Sequence, residues 1–137
     1  MKSHFDLTDD EFEEAFEKCS LAPNLFNHEA HLRLAWIHLY KYGLGEALVN
    51  IETQLKNYVA HAGATDKYHQ TLTLVAVKVV DHFMQKGEKV DFPSFIAENP
   101  KLKYKFKDLI NSHYTYDVFQ SEKARNIYQE PDLHPIV

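Results

Sequence analysis

The chain has 137 residues, 45% of them apolar, and carries 15 Lys and Arg against 20 Asp and Glu, a formal net charge of -5. This length suits one domain with its own core, and the acidic balance excludes a general affinity for nucleic acid or anionic membranes. No apolar run reaches the roughly 18 residues of a spanning helix, and no signal core is visible at the N-terminus. We therefore expect a cytoplasmic protein.

The first predicted helix begins at a capping box, Thr8-Asp-Asp-Glu11, and runs to about Ser20. Phe12, Phe16 and Cys19 recur on one of its faces. Cys19 is the only cysteine, so it cannot form an internal disulfide. Its apolar neighbours indicate a small core residue and not a nucleophile.

The second predicted helix contains the stretch Phe26–Tyr40, which is apolar almost all round although histidines stand near its start. Such a helix normally lies in the middle of a bundle. Asn27 can cap it, or Asn24 one turn earlier, and Gly43 can end it in a left-handed turn.

Two more helices are predicted from the spacing of apolar residues. One runs from Gly45 to Gly63, and the short turn before it makes it an antiparallel neighbour of the second helix. Thr65 or Asp66 can cap the next, over about 67–85. Its valines would also suit a strand, but the three-to-four spacing and the length favour a helix.

The segment after residue 90 is harder to assign. Asp91 begins a short helix that ends at Asn99-Pro100. Residues 101–107 alternate between lysine and apolar residues, which fits a strand, but no second strand is available to pair with it, so we predict a helix. On a helix these lysines would not face one way, which indicates a solvated surface and not a phosphate site.

The C-terminal part is predicted to contain a last short helix over 121–128 and an extended tail over 129–137, because two prolines interrupt the tail. Leu133 and Ile136 could pack the tail back on the body. The chain as a whole is predicted to be one all-α domain over residues 1–137, an up-down bundle of about five to seven helices.

A cluster of histidines follows from this topology. In an up-down bundle the second and fourth helices run parallel, and the third ends where they begin. His28, His31, His61 and His69 would then meet at one end, the first two one turn apart on the apolar side of their helix. Imidazoles in this arrangement could bind a divalent metal ion such as Zn, Fe or Mn and leave one position open for water or substrate.

Other side chains near this cluster could orient the rings or bind a ligand. Thr73 lies one turn from His69, and Tyr68 precedes it. Arg33 could hold an anion, although pairing with Glu29 on the outer face is the simpler interpretation. The predicted ligand-binding residues are therefore His28, His31, Arg33, Tyr68, His69 and Thr73, and the predicted metal ligands are His28, His31 and His69.

Each histidine taken alone also fits a structural role, in which it bonds to a carbonyl or a hydroxyl. His28 could support its own helix cap, and His61 is expected to be solvated. No Glu-x-x-His motif is present, and the His-Glu-x-x-His pattern of zinc proteases is missed by one residue. The competing interpretation is a non-catalytic interaction module made of helical hairpins, similar to tetratricopeptide repeats, although a solenoid needs at least three units.

Two segments, Phe26-Asn-His-Glu-Ala-His-Leu-Arg-Leu-Ala-Trp36 and Lys67-Tyr-His-Gln-Thr-Leu-Thr73, carry a resemblance, together with Ala124-Arg125 and Pro131-Asp-Leu133. The chain resembles a family of small bacterial helical proteins for which no activity is known. The resemblance implies a bacterial origin and an all-α fold, and it marks as motif positions His28, His31, Arg33, Tyr68, His69, Thr71 and Thr73. We therefore predict a His-lined polar pocket that binds a metal ion or a small polar ligand, with no reaction assigned and no enzyme class named.

Overall fold

The computed structural model describes residues 2–136 and confirms the all-α class. Within this range it contains eight α-helices, slightly more than predicted, four short 3₁₀ turns and no strand. None of these helices has the length and apolar character needed to cross a membrane. The chain divides into two compact units, Met1–Tyr68 and His69–Val137, each with its own set of internal contacts.

In the first unit, helix α1 spans Asp9–Glu17 and begins at the predicted capping box. Thr8 accepts a hydrogen bond from the backbone N–H of Glu11, whose carboxylate accepts one from the backbone N–H of Thr8. The helix ends earlier than predicted because the chain turns into a left-handed conformation at Cys19, where φ is 57°. Cys19 is therefore half-buried just beyond the helix and does not extend its apolar face.

Helices α2 and α3 form a hairpin. α2 spans His28–Tyr42, and its cap at Asn27 is confirmed because the side-chain oxygen accepts a hydrogen bond from Ala30 N–H at 2.9 Å. α3 spans Leu44–His61. Gly43 alone separates the two helices, with a φ of 82° that glycine adopts without strain. This tight connection makes the helices antiparallel neighbours.

The middle of α2 is enclosed on every side, as its sequence predicts. All eight residues from Leu32 to Leu39 are buried, among them Trp36 at 5% exposure and His38 at 0%. A helix normally keeps a polar face in water, so this continuous burial identifies α2 as the central element of its unit.

In the second unit, α4 spans Gln70–Lys86 and begins later than predicted. Its N-cap is His69, and not Thr65 or Asp66. Thr65–Lys67 forms a separate 3₁₀ turn, and Tyr68 after it is extended, so the helix cannot continue through this point. The predicted helical state of the valine-rich segment is confirmed.

Four short helices complete the second unit. Asp91 caps the first of them as predicted, accepting a hydrogen bond from Ser94 N–H at 3.0 Å. Residues 101–107 are helical apart from one break at Lys105, and the four lysines of this segment are exposed. The helices are α5 (Phe92–Glu98), α6 (Pro100–Tyr104), α7 (Phe106–Asn111) and α8 (Glu122–Asn126).

The C-terminal tail, described as far as residue 136, is attached to the second unit mainly through hydrogen bonds. The backbone N–H of Leu133 donates to the His113 carbonyl at 3.0 Å, and Asp132 accepts from Thr115 N–H at 2.9 Å. Leu133 is 50% exposed and Ile136 is half-buried, so Leu133 contributes little of the predicted packing on the body. Backbone and carboxylate groups hold the tail in its place.

Candidate functional site

His28 and His31 stand in the first turn of α2, and both are exposed. The apolar pattern of the helix predicted a buried position for them. The difference arises because continuous burial starts at Leu32, and in the turn before it only Ala30 is buried. The two imidazoles are therefore accessible to a ligand from solvent.

An aromatic column fixes the orientation of His31. Its ring stacks on Phe26 with centroids 3.8 Å apart and an interplanar angle of 27°, and Phe26 in turn contacts Phe16 and Tyr58. Desolvation, together with the nearby charge of His28, lowers the pKa of His31 to about 4. More than a third of the residue is accessible, so water screens part of this effect, but its direction favours the neutral ring.

His69 has a structural role at the start of α4. Its Nδ1 accepts a hydrogen bond from Leu72 N–H at 3.1 Å, and its Nε2–H donates to the Val118 carbonyl at 3.1 Å. Burial lowers the pKa of the ring, which agrees with the neutral tautomer that these bonds require. As a metal ligand, His69 would have to give up one of these two bonds.

Thr71 and Thr73 both form hydrogen bonds near the start of α4. Thr73 Oγ1 donates to the backbone carbonyl of His69 at 2.7 Å, so its hydroxyl is used within its own helix. Thr71 is fully buried, and its hydroxyl donates to the Ala124 carbonyl at 2.6 Å and accepts from Gln129 N–H at 3.0 Å. The motif containing these threonines therefore holds α8 and the start of the tail against α4.

Arg33 is buried, at 4% exposure, and does not lie on the outer face as predicted. Its guanidinium forms an ion pair with Asp9 at 2.9 Å and donates to the backbone carbonyls of His4 and Leu7 at 2.6 and 2.8 Å. Its carbon atom Cζ lies 4.9 Å from the centre of the Phe12 ring. The side chain fixes the N-terminal segment on α2, and its planar set of donors suits this task.

His4 lies between Glu29 and Arg33, the two charged residues that the sequence predicted to pair directly. Arg33 Nη1 donates to its Nδ1 at 3.3 Å, and its Nε2 lies 2.9 Å from Glu29 Oε1. A guanidinium has no acceptor, so Nδ1 must be unprotonated and Nε2–H donates to Glu29. With 1% exposure and this fixed tautomer, His4 stabilises the segment and cannot act as a general base.

Tyr68 lies at the end of the first unit and is half-buried. The Nζ of Lys56 on α3 is 5.6 Å from the centre of its ring, within the range of a cation–π contact. Tyr68 therefore contacts Lys56 of α3.

His38 was not predicted as a site residue, yet it is the most unusual histidine in the chain. It is completely buried, its Nδ1 accepts a hydrogen bond from Asn50 Nδ2 at 3.4 Å, and its Nε2 has no hydrogen-bond partner among residues 2–136. Leaving a buried donor unpaired costs about 1–3 kcal/mol. Burial lowers the pKa of the ring, while nearby Glu13 raises it and Lys41 lowers it.

The described part of the chain contains no group of three or more His, Cys, Asp or Glu residues placed to hold a metal ion. A metal ion at the start of α2 would therefore have two imidazole ligands from this chain and further ligands from water or a bound molecule. His28 and His31 belong to the first unit, whereas His69 and Thr73 belong to the second. Their meeting in one pocket stays a prediction.

Comparison with known proteins adds no assignment: no family model, no curated protein and no solved structure matches the chain. The family resemblance inferred from the motifs therefore stays a prediction.

Proposed function

We propose that the first turn of α2 is a binding site for a divalent metal ion or a small polar ligand, with His28 and His31 as the contacting residues. The observation that carries the proposal is the exposure of two histidines one turn apart, one of them held against Phe26. Residues three apart on a helix are neighbours on its surface, so both rings can contact one ligand.

The chemical state of the site supports a ligand that accepts lone pairs. A metal ion binds the neutral imidazole, and the lowered pKa of His31 favours that form. Imidazole suits zinc, copper, iron and nickel. Two imidazoles give a weak site alone, so a physiological ligand would add donor atoms of its own.

Zinc titration of the metal-free protein tests this proposal. We expect saturable binding of Zn²⁺ by calorimetry and shifts of the His28 and His31 ring protons in NMR spectra. His28→Ala and His31→Ala should each weaken the binding by at least about tenfold, because even residues that only orient metal ligands have effects of this size. His134→Ala is the matched control, since His134 is also an exposed histidine but lies in the second unit and outside the predicted cluster. Zinc binding that is absent, or equally strong in all three variants, would refute the proposal.

A non-catalytic interaction module is the second candidate. It is supported by exposed apolar residues at the turn of the α2–α3 hairpin, where Tyr40 is 59% exposed and Val49 62%. Larger exposed apolar patches are typical of protein interaction surfaces. Sedimentation velocity over a wide range of concentration tests the simplest case, in which a second copy of the chain is the partner. Self-association that a Val49→Ser change abolishes would support this role, and a strictly monomeric protein would count against it.

A further inference from the structure

The interface between α2 and α3 contains a small polar layer, with the charged side chains of Glu13 and Lys41 near its His38 end. His38 on α2 faces Asn50 on α3, and Gln54 lies one turn further along α3. Their neighbours Ile51 and Leu55 are buried and apolar. Two buried polar atoms of this layer, His38 Nε2 and Gln54 Oε1, have no hydrogen-bond partner among the described residues.

These two atoms have complementary chemistry. Because Asn50 donates to Nδ1 of His38, the proton of the neutral ring is on Nε2, which is therefore a donor. Gln54 Oε1 is an acceptor with two lone pairs. Asn50 and Gln54 are four residues apart and so lie on the same face of α3. One unpaired donor on α2 and one unpaired acceptor on α3, a turn beyond the Asn50 contact, therefore lie along the facing sides of the hairpin.

We propose that this layer is a binding site for one internal water molecule, which accepts a hydrogen bond from His38 Nε2–H and donates one to Gln54 Oε1. Buried waters of this kind occur about once per 27 residues in globular proteins and bond to buried polar groups that lack other partners. A water molecule satisfies both atoms without adding charge to this layer.

The polar layer gives the hairpin a preferred register. If α3 slides along α2 by one turn, His38 loses Asn50, and the water molecule loses one of its two partners. Apolar side chains would tolerate such a shift better, because their contacts have no direction. A buried polar position has this role in coiled coils, where it selects one register.

The wild-type protein permits a direct test. A water molecule held in this layer should give an NMR cross-peak to the Nε2 proton of His38, and a crystal structure should place its oxygen within hydrogen-bonding distance of both atoms. The proposal is overturned if His38 Nε2 and Gln54 Oε1 bond directly, or if no water molecule is found beside them.

A double-mutant cycle supplies an independent measurement. His38→Phe leaves Gln54 Oε1 and Asn50 Nδ2 without these partners, and Gln54→Leu leaves His38 Nε2 unpaired. The double variant leaves only Asn50 Nδ2. If the two sites were independent, their fold-changes in the unfolding equilibrium constant would multiply. We expect the unfolding equilibrium constant of the double variant to be at least about fivefold lower than that product. His38→Phe combined with Asn57→Leu is the matched control, because Asn57 is exposed on α3, and its effects should multiply. Effects of His38→Phe and Gln54→Leu that multiply in the same way would contradict the shared water molecule.

Discussion

Removal of the Arg33 side chain should destabilise the first unit strongly. In Arg33→Ala, the backbone carbonyls of His4 and Leu7 lose the donors that lie 2.6 and 2.8 Å from them, and Asp9 loses its ion-pair partner. The Phe12 ring also loses its cation–π contact. The N-terminal segment would then keep its contacts with α2 only through weaker interactions.

The size of the effect follows from burial. Removing one partner of a buried ion pair costs about 3–5 kcal/mol. The Asp9 side chain is 43% exposed, however, so water can replace part of the ion pair and hydrogen bonding that it loses. The Leu7 carbonyl is only partly buried and can be partly rehydrated, whereas the His4 carbonyl lies in a buried contact. We therefore expect a loss of about 2–4 kcal/mol for Arg33→Ala. Arg33→Lys keeps the charge but lacks the planar set of donors, so it should recover only part of this loss.

Urea unfolding followed by the fluorescence of Trp36 measures this effect, because the only tryptophan of the chain is buried in the same helix. Lys18→Ala is the matched control. It removes an exposed ion pair with Glu14 and should leave the free energy of unfolding almost unchanged. If Arg33→Ala is as mild as this control, Arg33 does not anchor the N-terminal segment through a buried network.

Three further predictions concern the other buried polar groups. His69→Ala should cost about 1–2 kcal/mol in thermal unfolding, and His69→Asn should recover part of it, because asparagine is a good N-cap; equal losses would contradict the capping role. Thr71→Val should speed amide hydrogen exchange over residues 124–129, while Thr71→Ser should not, since serine keeps the hydroxyl. The pKa of His38 is lowered in the folded protein, so the unfolded chain binds the proton first and stability falls as the pH drops below 6.5. His38→Phe should reduce this slope by up to about 1.4 kcal/mol per pH unit, as measured by urea unfolding at several pH values.

The fold class and most helix starts could be predicted because their signals are local. The capping box at Thr8, the cap at Asn27 and the cap at Asp91 each use contacts three residues apart, which a sequence displays directly. The start of α4 was missed because its cap is His69, an imidazole in a position where serine, threonine, aspartate or asparagine is expected.

The candidate site was harder to predict because it depends on contacts between residues far apart in the chain. Helical spacing placed Glu29 and Arg33 side by side, but it could not reveal that His4 lies between them. His4 is 25 residues before Glu29 and 29 residues before Arg33. The exposure of His28 and His31 depends on where the core of the unit ends, and local periodicity does not contain that information. Burial of His38 was foreseeable from its apolar neighbours, but its unpaired nitrogen was not.

The enclosure of the middle of α2, from Leu32 to Leu39, limits how the first unit can assemble. A helix with apolar groups on all sides gains little from forming alone in water, since its stability comes from the surfaces that cover it. α2 should therefore acquire its structure only together with α1 and α3, so that this part of the protein folds as one cooperative step. A peptide cut to the limits of α2 would aggregate or remain unstructured.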